Sequence, residues 1–175
     1  EVSEGEGFTV FDLDDHLTEL DGEGVLWSFS GNDSLTVAID TDNMVTVTIP
    51  SENWNGTETI TFTATDDNSD GLSSSDAAIF TVTEVNDAPV ANDQSVTTDE
   101  DIDISILLTG TDDDGDPLTY EVVTSPTNGT LSGTAPALSY SPNAEYNGSD
   151  SFTFSVNDDT VSDTATVSIT INSVN

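Results

Sequence analysis

The chain has no lysine, no arginine and no cysteine among its 175 residues, and a single histidine, His16. Each absence removes a class of chemistry. Without Lys or Arg there is no basic patch, which excludes nucleic acid and anionic membrane surfaces as partners. Schiff-base chemistry falls for the same reason, as does a Lys–Asn isopeptide cross-link of the kind that staples surface fibres. Without Cys there are no disulfides, no thiolate catalysis and no Cys-based zinc or iron–sulfur site. No apolar run approaches the roughly 18 residues that a membrane span needs, and no signal-peptide pattern opens the chain. Starting at Glu1-Val2-Ser3 and ending at Val174-Asn175, it reads as a piece of a longer protein.

What is present is acid: 35 Asp and Glu, for a formal charge of −35 at pH 7. Two carboxylates about 4 Å apart repel by roughly 1 kcal/mol in water and by several times that near a protein surface. Dense clusters therefore persist in a folded chain only when exposed, protonated or bound to a cation. The chain has no cationic side chain of its own except His16, so the cation comes from solution. Hard oxygen ligands select Ca²⁺ over softer metals. The apolar fraction is 34%, with seven Phe, two Trp and three Tyr, enough for small β domains. High charge with modest hydrophobicity also fits disorder, but the apolar residues alternate instead of scattering.

An internal repeat organises the chain. Residues 54–67, Trp-Asn-Gly-Thr-Glu-Thr-Ile-Thr-Phe-Thr-Ala-Thr-Asp-Asp, are echoed at 146–159 by Tyr-Asn-Gly-Ser-Asp-Ser-Phe-Thr-Phe-Ser-Val-Asn-Asp-Asp, at an offset of 146 − 54 = 92. Asp21-Gly22-Glu23 echoes Asp114-Gly115-Asp116 at 114 − 21 = 93, with Trp27 matching Tyr120. A period near 90 residues is one domain per repeat, and predicts a tandem array. The boundary falls in Glu84-Val-Asn-Asp-Ala-Pro89, where proline stops a strand and biases Ala88 to an extended conformation. This gives domains 1–86 and 87–175, expected to lie end to end across a short linker.

Within each repeat the apolar period is two, the mark of half-buried strands. The first domain offers Val25/Trp27/Phe29, Leu35/Val37/Ile39, Val45/Val47/Ile49, Ile60/Phe62/Ala64 and Ala78/Phe80/Val82. The second offers Ile102/Ile104/Ile106, Leu118/Tyr120/Val122, Leu138/Tyr140, Phe152/Phe154/Val156 and Ala165/Val167/Ile169/Ile171. Thr and Ser fill many outward positions, where they suit a pleated surface. About seven short strands per ~90 residues predict an all-β fold of two immunoglobulin-like Greek-key sandwiches. The Cys pair and the Trp packed on it that mark antibody domains are missing.

The sharpest motif is Thr111-Asp-Asp-Asp-Gly-Asp-Pro117. Its alternate acids and Gly turn resemble the start of an EF-hand loop, but no Glu follows at the right distance and no helices flank it. As a loop at one end of a sandwich it still gathers three or four oxygens from Asp112, Asp114 and Asp116. Asp158 and Asp159 close the Phe152–Val156 strand, whose end can lie beside this loop, and Glu84, Asn86 and Asp87 sit at the same pole. Asp-Gly also simply makes turns; the convergence of three distant segments favours calcium. The first domain carries a similar set: Glu4, Glu6, Asp12, Asp14, Asp15, Asp21, Glu23, Asp66 and Asp67. Glu6 and Glu100, early in each repeat, are expected to supply a carboxylate to the far pole.

These motifs carry a resemblance. Glu84-Val-Asn86-Asp87-Ala-Pro89 is similar to the cadherin linker motif, and Asp112-x-Asp114 to its paired-Asp motif. Thr63-Ala-Thr-Asp66 and Ser155-Val-Asn-Asp158 resemble its strand-end Ala-x-Asp motif, with Val156 in place of Ala. The whole chain resembles the cadherin-like tandem repeats of large bacterial and archaeal surface proteins and adhesins. That family implies Ca²⁺ between successive sandwiches, rigidifying an extracellular stalk. The mid-domain acidic motif of animal cadherins has no convincing match; Glu52 and Glu145 are loose candidates.

The expected function is thus a calcium-binding structural and adhesive module of an extracellular surface protein or fibre, with metal ligands Glu6, Asp66, Glu84, Asn86, Asp87, Asp112, Asp114, Asp116 and Asp158. Its partners are neighbouring repeats, or head-to-tail copies in a fibre. A Ca²⁺-dependent carbohydrate-binding module is the alternative, with surface glycans as partner and a site near Trp54 or Trp27. Trp27 is in register with core residues, and Trp54 and Tyr146 occupy the place of a structural corner. An enzyme is not expected, since a carboxylate pair of the glycosidase kind needs a deeper cleft than two small sandwiches offer. Four Asn-x-Ser/Thr sequons, at Asn32, Asn55, Asn128 and Asn147, include three Asn-Gly pairs, a hairpin signal before a glycan one.

Overall fold

The computed structural model describes residues 1–16, 24–67 and 71–174. It divides into two compact units, Glu1–Val85 and Asn86–Asn175. Among the described residues there is no α-helix, and hence none long and apolar enough to cross a membrane.

Unit 1 contains β1 (Val2–Ser3), β2 (Phe11–Asp12), a 3₁₀ turn at Asp14–His16, β3 (Val25–Ser30), β4 (Thr36–Ile39), β5 (Met44–Thr48), β6 (Gly56–Asp66) and β7 (Ser73–Thr83). They form two sheets, β1-β7-β6-β3 and β2-β5-β4. Unit 2 contains β8 (Val90–Ala91), β9 (Gln94–Asp99), β10 (Ile104–Leu107), β11 (Gly110–Thr111), β12 (Thr119–Thr124), β13 (Gly129–Thr134), β14 (Ala137–Pro142), β15 (Gly148–Asn157) and β16 (Ser162–Asn172). Its sheets are β9-β16-β15-β12 and β10-β14-β13, with a short β8–β11 pair. Pairing is antiparallel except where β1 meets β7 and β9 meets β16, the last strand of each unit.

The alternation read from the sequence becomes the two faces of these strands. Phe152, Phe154 and Val156 on β15 and Val167, Ile169 and Ile171 on β16 are buried with Ile106, Leu108, Leu138 and Tyr140 in one core. Unit 1 has its own core around Leu35, Val45, Ile60, Phe62 and Phe80. Phe8 and Phe11 meet Phe80 and Phe62 edge-on, with ring centres 5.1 and 5.8 Å apart. At about 25 cal/mol per Å² of apolar surface, such burial is the main stabilising term.

Some strands were silent in the sequence. β9 and β13 carry one apolar side chain each, Val96 and Leu131, because edge strands bury only part of one face. Conversely Ile102, expected to open a strand, lies outside β10 and is 56% exposed. Trp54 and Tyr146 do turn corners. The Tyr146 hydroxyl donates to Ser149 O at 2.9 Å, and the ring crosses Gly148, whose φ of +136° only glycine holds without strain. Gly56, at φ +149°, lies under the Trp54 ring, where an added Cβ would come within 3.2 Å.

Candidate metal centre

At one pole of unit 2 the chain runs from Asn86 into β8, while the loop after β11 carries Asp112–Asp116. Loop geometry follows from local bonds. Asp112 Oδ1 accepts the backbone N–H groups of Asp114 and Asp116 at 3.0 and 3.1 Å, folding the acidic stretch over its own first carboxylate. Asp114 Oδ2 accepts the N–H of Asp87 at 2.6 Å, which ties the start of the unit to this loop. Carboxylate oxygens of Asp112, Asp114 and Asp116 come within 4.8 Å of one another.

The remaining oxygens decide what the cluster can do. Asp112 Oδ2 and Asp114 Oδ1 are buried and have no hydrogen-bond donor. Each of these two carboxylates thus spends one oxygen on the backbone and leaves the other without a partner. An unpaired buried polar atom costs about 1–3 kcal/mol, and more when charged. With no Lys or Arg in the chain, no basic side chain is available to pair with these oxygens. The donors are hard oxygens, the set that suits Ca²⁺.

Asp158 stands beside the trio and is not part of it. Its Oδ1 accepts the N–H groups of Thr160 and Val161 at 2.6 and 2.7 Å, and its Oδ2 accepts the Asn86 amide at 3.0 Å. The Asn86 amide, followed by the Val161 N–H, holds the Asp158 carboxyl below the usual carboxylate range. The same Asn86 nitrogen donates to Asp87 O at 2.7 Å, so Oδ1 is the atom Asn86 has left for a cation. Five expected residues of unit 2, Asp112, Asp114, Asp116, Asn86 and Asp87, are therefore linked at this pole, with Asp158 behind them.

The other expected ligands belong to unit 1. Asp66 ends β6, its N–H bonded to Leu72 O at 2.9 Å. Glu84 is exposed. Glu6 accepts the Ser3 N–H at 3.2 Å in a turn. Asp21 and Glu23 lie outside the described residues. The counterpart of Glu100 is Glu4, not Glu6. Glu4 accepts the Asn55 amide at 2.9 Å and the Val85 N–H at 3.0 Å, while Glu100 accepts the Asn147 amide at 3.4 Å and the Val174 N–H at 2.7 Å. Strand register, with Val2 opposite Val82 and Thr98 opposite Ile171, fixes that equivalence; the sequence offset drifts by several residues across the loops and hid it.

A second pair of acids went unnoticed in the sequence. Glu58 and Asp150, one repeat apart, each gather backbone amides from a loop. Glu58 accepts from Asp33, Ser34 and Leu35, at 2.6 Å from Ser34. Asp150 accepts from Thr127, Asn128 and Ser151 and from the Tyr140 hydroxyl. Burial alone would raise both pKa values, yet the hydrogen bonds outweigh it and both are lowered. The signal was in the phase: both acids fall on the inward face of their strands, in step with Ile60 and Phe152.

Comparison with known proteins agrees with this architecture. Residues 86–170 match the bacterial Ig domain family, 85 of the 175 residues. In fold the chain is a cadherin-like, immunoglobulin-like repeat protein. Protocadherin gammaB7 EC3-6 superposes with TM-score 0.53 at 21% identity, over 85% of this chain and 40% of that one. Drosophila N-cadherin EC1-4 gives TM-score 0.53 at 15% identity, over 98% of this chain and 46% of its own. An endo-fucoidan hydrolase of glycoside hydrolase family 107 aligns at 27% identity over 89% of this chain and 24% of its own, with a TM-score of only 0.42. The chain thus spans less than half the length of each. No curated protein matches the sequence.

Proposed function

We propose that this chain is a calcium-binding structural and adhesive module of an extracellular surface protein or fibre. The observation that carries the reading is the pair of buried, donor-less oxygens Asp112 Oδ2 and Asp114 Oδ1 in a chain without Lys or Arg. Asp112, Asp114 and Asp116 would hold the ion, with Asn86 Oδ1 and backbone oxygens as further donors. Two positive charges there offset the repulsion among the three acids. Because Asp87 and Asn86 are already bonded to Asp114 and Asp158, the ion would also order the first residues of unit 2, the stretch that joins it to the preceding repeat. The bacterial Ig match and the cadherin-like fold support this reading and an extracellular location. We further propose that the module is not catalytic and that its partners are neighbouring repeats. Trp54 packs over Gly56 and against the unit 1 core, a placement that favours a structural corner over a sugar platform.

Calorimetric titration with Ca²⁺, together with melting and small-angle scattering, tests this. Extracellular modules bind at about 0.1–1 mM. At 10 mM Ca²⁺ we expect about 1.4–2.7 kcal/mol of added stability and a longer, narrower particle. No heat, with melting and shape unchanged by the ion, would remove the calcium role.

A further inference from the structure

Acid is unevenly spread along the chain. The 23 residues 122–144 carry none, while the next longest acid-free run is the 12 residues 164–175. The long run folds into the end of β12, all of β13 and all of β14. β13 is the outermost strand of the β10-β14-β13 sheet, and among the described residues no strand pairs with its other side.

An edge strand presents a row of backbone N–H and C=O groups without partners, and proteins ordinarily blunt such edges with charge, proline or a bulge. The three other strands at the ends of the two main sheets of unit 2 follow that rule. β9 ends in Asp99 and follows Asp93, and β10 follows Asp103. β12 holds Glu121 and a register shift between Val122 and Thr124. β13, Gly-Thr-Leu-Ser-Gly-Thr, has neither charge nor proline, and all six residues run in unbroken register with β14. Thr130, Ser132 and Thr134 are exposed, while Leu131 packs against the core. The counterpart of β13 in unit 1, β4, is four residues long and lies between Asp33 and Asp40.

We propose that β13 pairs antiparallel, about a two-fold axis, with β13 of a second copy of this chain. Charge chooses the occupant. A basic partner would be drawn to the acidic faces of the molecule, whereas another copy, also at −35, is repelled by every surface that carries acid. The acid-free edge is where two such chains reach hydrogen-bonding distance without setting carboxylate against carboxylate. The two-fold axis makes the contact self-complementary. Placing Leu131 opposite its copy keeps both Leu side chains on the core face and pairs Thr130 with Ser132 of the second copy. The β10-β14-β13 sheet then continues across the contact. One short strand per copy makes an interface at the small end of the range, under about 1,200 Å², so the pair forms only at high concentration.

Sedimentation velocity of the full chain tests this, with a chelator and about 1 M NaCl, where the Debye length is about 3 Å. Raising the chain from about 10 μM to about 1 mM is expected to shift the average mass towards twice that of the monomer. Over the same range, exchange of the Gly129–Thr134 amides is expected to slow about threefold or more, with Thr119–Thr124 and Ser162–Asn172 unchanged. The double variant T130E/S132E sets acids against each other across the axis and should stay monomeric throughout. T36E/A38E adds the same charge to β4 and should associate as the native chain does. A native chain that stays monomeric at the upper concentration, or protection that appears on β12 or β9 instead of β13, would overturn the proposal. So would equal association in the two variants, whether kept or lost, since the contact would then not lie at β13.

Discussion

The Tyr140 hydroxyl donates to Asp150 Oδ2 at 2.8 Å in the core of unit 2, where Tyr140 is fully buried. Burial, with the neighbouring carboxylate adding to it, pushes the Tyr140 pKa up, so the phenol stays a neutral donor. Asp150 also takes the N–H groups of Thr127 and Asn128, so one carboxylate joins β14, β15 and the loop between β12 and β13. Replacing Asp150 by Asn would turn an amide N–H₂ towards those donors. We expect D150N to lose about 2–4 kcal/mol, and Y140F about 1 kcal/mol, in urea unfolding.

The same carboxylates set an acid limit. Asp150 and Glu58 have pKa values below their ordinary ones, so the folded state binds protons less readily than the unfolded chain. Their contribution is complete above the unfolded value, about 4, and is lost as pH falls through the lower folded values. Stability measured from pH 6 to pH 2 should therefore fall below about pH 4. The fall should be shallower in D150N, which has less to lose; an equally steep fall in the variant would contradict the assignment.

Calcium should act through Asp114. In D114N the remaining amide oxygen can still receive the Asp87 N–H, so without the ion stability should change by less than about 1 kcal/mol. The Ca²⁺-induced rise in melting temperature should shrink or vanish. A variant that melts early without calcium but keeps the full calcium response would show Asp114 to be structural only.

Charge makes a separate prediction. At −35 with no cationic partner besides His16, self-repulsion opposes the compact state. Adding NaCl up to about 1 M, where the Debye length is about 3 Å, should raise the melting temperature of the calcium-free chain. The increment from added Ca²⁺ should fall as salt rises. Melting independent of salt would mean that the acids are too well solvated to matter.

Glu100 should govern the end of unit 2. It accepts the Val174 N–H at 2.7 Å and the Asn147 amide at 3.4 Å. We expect E100Q to cost about 0.5–1.5 kcal/mol and to speed exchange of the Val174 amide before that of the β15–β16 ladder. Uniform acceleration across the unit would indicate global destabilisation instead.

Much of this was legible in the sequence, and the reason is the period of two. Phe152/Phe154/Val156 could bury one face only as a strand, and the 92-residue echo from Trp54 to Tyr146 required two domains of one kind. The acidic loop was legible because composition left it no internal counter-ion. Edge strands were not: β9 and β13, with one apolar residue each, give almost no alternation. Glu58 and Asp150 were passed over because an acid in phase with core residues looks like a break in the pattern until the loop amides that it collects are placed in space.

Composition and spacing alone thus determined an all-β repeat protein whose acids have no Lys or Arg to pair with, because alternation and charge are properties of the linear order. Two things were decided only by the folded chain. Glu4, not Glu6, answers to Glu100, and Asp158 bonds to the backbone and Asn86 while Asp112 and Asp114 keep oxygens without donors. Each depends on which backbone amides a loop carries to a given carboxylate, and loop lengths that differ between the repeats do not register in a pattern of side chains.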